Sequence, residues 1–176
     1  LAGNLDATIT TLEPLPAEVQ PAGDWCQVQV GGVGRYWEGY DGFDVLVLPR
    51  KYGGLCLPAQ EAMAAGLAVV MPAASPNQDW PILPVPATRG GRVPLPAGWM
   101  PLIDVDAGQL ANELIRLRDD PVRLAEARER SLEWAETHSW ERLTDLYRTE
   151  LARVIDHPLP PPIVDQRQHN PFSPAK

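Results

Sequence analysis

The residues with the clearest chemical potential are two cations, two glycines and one carboxylate that lie close together in the chain: Arg50, Lys51, Gly53, Gly54 and Glu61. Arginine and lysine make charge-assisted hydrogen bonds to phosphate oxygens. Adjacent glycines let the backbone approach a ligand closely or adopt positive φ angles. A carboxylate suits another task, because it accepts hydrogen bonds from a vicinal diol such as that of a ribose. Together these residue types fit the diphosphate and the ribose of a nucleoside diphosphate.

Two predicted strands flank this group of residues. Phe43–Pro49 and Leu67–Met71 are almost continuously apolar, which is typical of strands buried on both faces of a parallel sheet. Between them, Pro58–Gly66 predicts a compact helix, because proline suits its first turn and glycine suits the left-handed residue after its end. Ligands bind at the carboxyl ends of parallel strands, so the glycine pair and the free N–H groups of the helix start should face one crevice.

The remaining chain shows weaker strand signals and stronger helix signals. Trp25–Gly32 alternates and is rich in valine, which predicts a strand. The segment after Met71 is dense in proline and glycine, and only short strands such as Pro101–Val105 are expected there. Three helices should follow, since an Asp or Ser suited to an N-cap precedes each amphipathic stretch. These predicted caps are Asp106, Asp120 and Ser139.

Length and composition predict one α/β domain with an ordinary core, because the chain has 176 residues and is 44% hydrophobic. The expected fold is a Rossmann-like parallel sheet with helices on both faces, followed by a helical C-terminal segment. We expect a poorly defined lead-in over residues 1–24, the Rossmann-like domain over 25–156, and a Pro-rich disordered tail over 157–176. The chain starts with Leu and reaches its first clear strand late, so a further N-terminal segment is expected.

Charge and patterning exclude several classes of function. The net charge of −8 argues against nucleic-acid binding, which needs a basic surface. No apolar run approaches the roughly 18 residues of a membrane span, and no signal-peptide pattern is visible. Cys26 and Cys56 lack metal-ligand spacing and predict free thiols in a reducing cytoplasm. The three histidines are isolated in the sequence, so no metal site is expected.

The stretch PRKYGGLCLPAQEAMAAGLAVVM, Pro49 to Met71, resembles the donor-binding motif of retaining GT-B glycosyltransferases, and of family 4 in particular. In that family a Leu-Pro pair leads into a helix that carries a Glu followed by Ala-Met-Ala. Here Leu57-Pro58 and Glu61–Ala64 match that pattern. The resemblance extends from about Trp25 to Ile155 and looks like the C-terminal half of the enzyme, in a form closest to variants from actinobacterial phages.

The resemblance implies that the chain binds a nucleoside-diphosphate sugar as the donor for transfer to an acceptor, without a cofactor or a metal. Carried over by position, Glu61 would bind the donor ribose, and the backbone of Gly54–Leu57 would line the sugar and the diphosphate. It assigns no catalytic residue. The complete donor site implied in this way consists of Arg50, Lys51, Gly53, Gly54, Leu55, Cys56, Leu57 and Glu61.

The sequence also departs from the family pattern. Gly53 stands where the family has a first Glu that contacts the transferred sugar, and Leu55 and Cys56 replace an aromatic residue and a glycine. Lys51 or Arg50 would take over part of the missing role. The acceptor domain that precedes the donor half in the family is absent from this chain, so a missing N-terminal domain or a partner chain is expected.

Several alternatives stay open at this point. The chain could be a non-catalytic remnant, a split half that acts with a partner, or another GT-B enzyme such as a nucleotide-sugar epimerase. A plain strand–turn–helix connection with a solvated Glu61 also fits the pattern, because a glycine pair before a helix is a weak signal. Ser75–Trp80 follows the second strand and would either contact the donor or form a capping turn. The sequence leaves open the donor sugar, the base, the acceptor and the stereochemical outcome.

Overall fold

The computed structural model describes residues 6–157, except for residues 12, 22, 33, 53 and 97. The predicted tail from residue 158 onward lies outside the described residues. The strands are β1 (Ala7–Thr11), β2 (Cys26–Val30), β3 (Val45–Val47), β4 (Ala68–Pro72), β5 (Leu83–Val85), β6 (Ala87–Leu95) and β7 (Gly98–Val105). The α-helices are α1 (Leu57–Ala64), α2 (Ala107–Asp119), α3 (Pro121–Thr137) and α4 (Trp140–Asp156).

The fold is mixed α/β with parallel sheets. Strands β3, β4 and β5 form a parallel three-stranded sheet with β4 in the centre. Strands β1 and β2 form a separate parallel pair, so the lead-in over residues 1–24 contains a regular strand. All five residues of β4 are buried, as its continuous apolar sequence predicts for a central strand.

Helices cover both faces of the three-stranded sheet because side chains alternate along β4. Val69 and Met71 lie in one core cluster with the α1 residues Ala59, Ala62 and Met63. The intervening residues of β4 lie in a second cluster with Leu117 of α2 and with residues of α3. The predicted strand–helix–strand arrangement is therefore confirmed, with α1 as the connection between β3 and β4.

The end of α1 is fixed by a glycine in the left-handed conformation. Gly66 has a φ of +77°, and its N–H donates to the Met63 carbonyl while the Leu67 N–H donates to the Ala62 carbonyl. This pair of bonds is a Schellman motif, which satisfies carbonyl groups at a helix end. Arg128 of α3 then donates to the Gly66 carbonyl at 2.8 Å, so the end of α1 is joined to a second helix.

The segment after β5 is more regular than its sequence suggests. Strands β6 and β7 form a long antiparallel pair where only short strands were expected. Proline removes a ladder hydrogen bond and is confined to edge strands, but both strands of a two-stranded sheet are edges. Pro94 and Pro101 are therefore tolerated in this pair. A register shift between Arg89 and Arg92 absorbs the two glycines between them.

Helix α4 belongs to a second compact unit that begins at Ser139, whereas the preceding elements belong to the first. Ser139 caps α4 as predicted, since its side chain accepts a hydrogen bond from the Arg142 N–H. Trp140 and Tyr147 pack against each other on this helix, with ring centroids 5.4 Å apart. Among the described residues, no helix has both the length and the apolar composition needed to cross a bilayer.

Candidate functional site

The turns that follow β3 and β4 meet at the carboxyl ends of these strands. The Gly54 N–H donates to the Ser75 carbonyl at 3.2 Å, and Arg50 Nη1 donates to Asn77 Oδ1 at 2.9 Å. Asn77 is completely buried. Its Nδ2 atom has no hydrogen-bond partner among the described residues. The structure therefore brings Ser75–Trp80 to the same edge as the glycine turn, as the order of the strands predicts.

The two predicted cations have different surroundings. Arg50 stabilises the turn that contains Gly54, because its Nη2 also donates to the Gly54 carbonyl at 3.3 Å. Lys51 points toward the β6–β7 pair, where its Nζ lies 3.9 Å from Asp104 Oδ1 and both side chains are largely exposed. The Lys51 carbonyl accepts the Ile103 N–H at 2.7 Å. The basic pair thus connects the glycine turn to two different neighbours.

The start of α1 has no side-chain cap. Cys56 is its N-cap residue, yet the Cys56 side chain accepts no hydrogen bond from the helix backbone, and the first turn contains no acidic residue. The starts of α2, α3 and α4 differ, since Asp106, Asp120 and Ser139 each accept a hydrogen bond from the helix backbone. Backbone N–H groups and the helix dipole at such a start favour an anion. The arrangement at α1 is therefore suited to a negatively charged group.

The side chains at the start of α1 alternate between exposed and buried. Cys56 is buried in the same core cluster as Met63 and Ile82 and is a free thiol. Leu55 and Leu57 are exposed, at 73% and 56% of their surface. Alternation of buried and exposed side chains places the backbone of this segment at the protein surface, where a ligand can reach it.

Glu61 is half-buried and has a specific partner, Tyr40. The Tyr40 hydroxyl donates to Glu61 Oε2 at 2.6 Å. Burial, with the hydrogen bond to Glu61 and the charge of that carboxylate, raises the pKa of Tyr40 above its ordinary value. Among the described side chains, none donates a hydrogen bond to Oε1. The interpretation of Glu61 as a simple solvated helix residue is therefore not what the structure shows.

Two residues of this region were missed or left undecided by sequence reasoning. Sequence reasoning gave no role to Tyr40, because its contact with Glu61 spans 21 positions. Asn77 was part of a segment with two open interpretations, and the structure places it in a part-buried hydrogen bond with Arg50. Gly53, the remaining predicted glycine, lies outside the described residues.

Comparison of the chain with protein-family models, with curated proteins and with solved structures finds no match in any of the three. The resemblance to a donor-binding motif therefore depends on the sequence from Pro49 to Met71 and on its neighbours along the chain. A search of the described part of the chain for three or more His, Cys, Asp or Glu side chains placed to hold a metal ion finds none.

Proposed function

We propose that the chain binds a nucleoside-diphosphate sugar and forms the donor-binding half of a GT-B glycosyltransferase of the family-4 type. The observation that carries the proposal is the position of Glu61, half-buried one turn into α1 and held at 2.6 Å by Tyr40. A carboxylate with one oxygen held and the other available suits a hydrogen bond from a ribose hydroxyl. This is the role that the sequence resemblance implies for Glu61.

The diphosphate of the donor would lie at the uncapped start of α1. Its oxygens would accept hydrogen bonds from the backbone N–H groups of Leu55, Cys56 and Leu57, since the Gly54 N–H already bonds to the Ser75 carbonyl and Pro58 has no N–H. Arg50, inside the turn, and Lys51, on its exposed side, would attract the negatively charged diphosphate. When the bond to the sugar breaks, negative charge grows on the departing diphosphate, and donors that are already in place stabilise it.

A partner-dependent form of the same function is the second candidate. The exposed side chains of α4 include Leu146, Leu151 and Ile155, on a helix that also carries many charges. Exposed apolar surface of this kind is typical of interaction sites. An acceptor-binding domain or partner chain would then complete the enzyme.

The predicted cytoplasmic location is part of this proposal, since a donor nucleotide-sugar has to be available to the site.

Ligand-detected NMR of the full chain with UDP-, GDP- and ADP-sugars tests the proposal. We expect saturable contact with one nucleotide and an affinity loss of about 1–3 kcal/mol in Glu61→Ala, the range for leaving polar partners unpaired. Glu126→Ala on the exposed surface of α3 is the matched control and should bind as the wild type does. Equal affinity in Glu61→Ala and the wild type would refute the ribose assignment.

Turnover separates the two candidates. The partner-dependent form predicts donor binding without sugar release by this chain alone. Release of free sugar from the bound donor by the purified chain, with the same dependence on Glu61, would contradict that form and support activity of the chain by itself.

A further inference from the structure

A second basic feature lies outside the predicted donor site, on the β6–β7 pair. A groove of about 380 Å³ is lined by Arg89, Gly90, Gly91, Arg92 and Pro101. It coincides with the register shift between the two arginines, which is a β-bulge of two glycines. Bulges re-aim the side chains on either side of them. Here they place one arginine at each side of a glycine floor.

The groove is open at its floor. A side chain on Gly91 would meet nothing within 4 Å, so a ligand can approach this backbone. Gly90 is different, because a Cβ there would lie 2.7 Å from Asp104 Oδ2. That carboxylate is close to Lys51 Nζ, at 3.9 Å from its other oxygen, which offsets its charge. The local group therefore holds three cations and one carboxylate within a chain whose net charge is −8.

Arg92 is positioned by an aromatic ring. Its guanidinium carbon lies 4.5 Å from the centroid of the Trp99 ring. A guanidinium stacked on a ring keeps its N–H edges free for planar recognition of an oxyanion. Within the described residues, no carboxylate forms an ion pair with Arg92 or with Arg89. Both arginines are exposed, so an anion can reach them from solvent.

We propose that this groove is a binding site for a phosphate group of a small molecule, held between Arg89 and Arg92. The bidentate geometry of arginine matches phosphate oxygens, and the open Gly91 backbone allows close approach. The hydrogen bond from the Ile103 N–H to the Lys51 carbonyl, at 2.7 Å, joins the same pair of strands to the glycine turn. The proposed function places the donor diphosphate at the start of α1, so the phosphate held in the groove would belong to a second phosphorylated molecule bound beside the donor.

The test is a titration of the full-length, isotope-labelled chain with pyrophosphate at low salt, followed by NMR. We expect saturable shifts of the Gly90 and Gly91 amides and of the Trp99 indole. Arg89→Gln and Arg92→Gln should each weaken binding about tenfold, as expected for loss of a charge-assisted bond. Arg130→Gln, the same charge change on the exposed surface of α3, should alter affinity less than about twofold.

Two results would overturn the proposal: shifts that do not saturate, or an equal loss of affinity in Arg130→Gln and in the groove variants. Arg92→Lys sharpens the test, because it keeps the charge but loses the planar fork, and we expect it to restore only part of the affinity. The amide spectrum of each variant shows whether it is folded.

The source of the phosphate is read from competition. If the donor diphosphate fills the groove, a bound nucleoside diphosphate will displace pyrophosphate. If a separate molecule fills it, pyrophosphate will shift the groove amides when the nucleotide is already bound. Either result supports the groove as a phosphate site. Pyrophosphate binding that persists unchanged in Glu61→Ala, where nucleotide binding is weakened, shows that this site does not depend on the proposed donor function.

Discussion

The two ends of α1 differ in how their backbone groups are satisfied. At the C-terminal end, the Gly66 and Leu67 N–H groups bond to carbonyls of the last turn, and Arg128 donates to the Gly66 carbonyl. The same arginine donates to Asp44, just before β3, at 2.7 Å. At the N-terminal end the Cys56 side chain does not cap the helix, and Arg50 stabilises the neighbouring turn through its bond to the Gly54 carbonyl.

This difference indicates which end serves the fold and which end is available to a ligand. At the C-terminal end, Arg128 bonds to both the Gly66 carbonyl and the Asp44 carboxylate, so these groups have partners within the protein. At the N-terminal end, Arg50 satisfies the turn, but the N–H of Leu57, which precedes Pro58, is left to water or to a ligand. A helix start left uncapped at the carboxyl ends of parallel strands is a position where α/β proteins bind phosphates.

The largest expected effect is on stability and concerns the C-terminal end of α1. Gly66→Ala should lower the free energy of unfolding by about 1–3 kcal/mol, because alanine is strained at positive φ and its Cβ would lie 3.4 Å from Leu132. Chemical denaturation measures this change. Gly42→Ala is the control, since Gly42 also has positive φ but has open space around it, and it should cost less. Nucleotide affinity should stay unchanged in both variants, and a loss of affinity in Gly66→Ala would break the division between the two ends.

The next effect is on nucleotide binding and concerns the N-terminal end of α1. Cys56→Ser places a hydroxyl at the N-cap of α1, where serine accepts from an N–H two or three positions further on; Pro58 has none, which leaves the buried Ala59 N–H. We expect nucleotide affinity to fall by about 1 kcal/mol, because a capped helix start offers a weaker positive potential to the diphosphate. Cys26→Ser changes the other cysteine and should leave affinity unchanged. Tighter nucleotide binding in Cys56→Ser, measured by the same NMR titration, would contradict the role of the uncapped start.

The smallest effect concerns pH. The pKa of Tyr40 is higher in the folded state than in the unfolded state, where it is about 10. Below pH 10 the protonated hydroxyl therefore stabilises the fold. This contribution is lost as the pH rises from the unfolded pKa toward the folded pKa. Denaturation midpoints measured from about pH 8 to pH 11 should therefore fall more steeply for the wild type than for Tyr40→Phe. Parallel curves for the two proteins would show that the hydroxyl is not coupled to Glu61 in solution.

Local patterns in the sequence were sufficient for the strand–helix–strand unit and for the helix caps. Buried apolar runs predicted β3 and β4, and Asp106, Asp120 and Ser139 were each confirmed as caps. These features depend on residues within one turn or one strand of each other. The glycine at the end of α1 was predicted for the same reason, because its conformation is a local property of the chain.

Contacts between distant segments were not predictable in this way. The bond from Tyr40 to Glu61 and the bond from Arg50 to Asn77 join residues that are 21 and 27 positions apart. The β6–β7 pair was also underestimated, because its prolines and glycines are unfavourable in a central strand but acceptable in a two-stranded sheet. The position of the glycine turn between β3 and α1 was therefore predictable, whereas the partners of its side chains required the fold.

The proposed binding of the donor ribose by Glu61 is tested most directly by comparing two ligands in two proteins. The nucleoside diphosphate selected by NMR and its 2′-deoxy form are titrated into the wild type and Glu61→Ala, with Tyr40→Phe as the control for loss of the internal hydrogen bond. If Glu61 binds the ribose, the wild type will prefer the ribonucleotide by about 1–3 kcal/mol and Glu61→Ala will bind both ligands equally. The same preference in both proteins would contradict the account, because the ribose hydroxyl would then be recognised without Glu61.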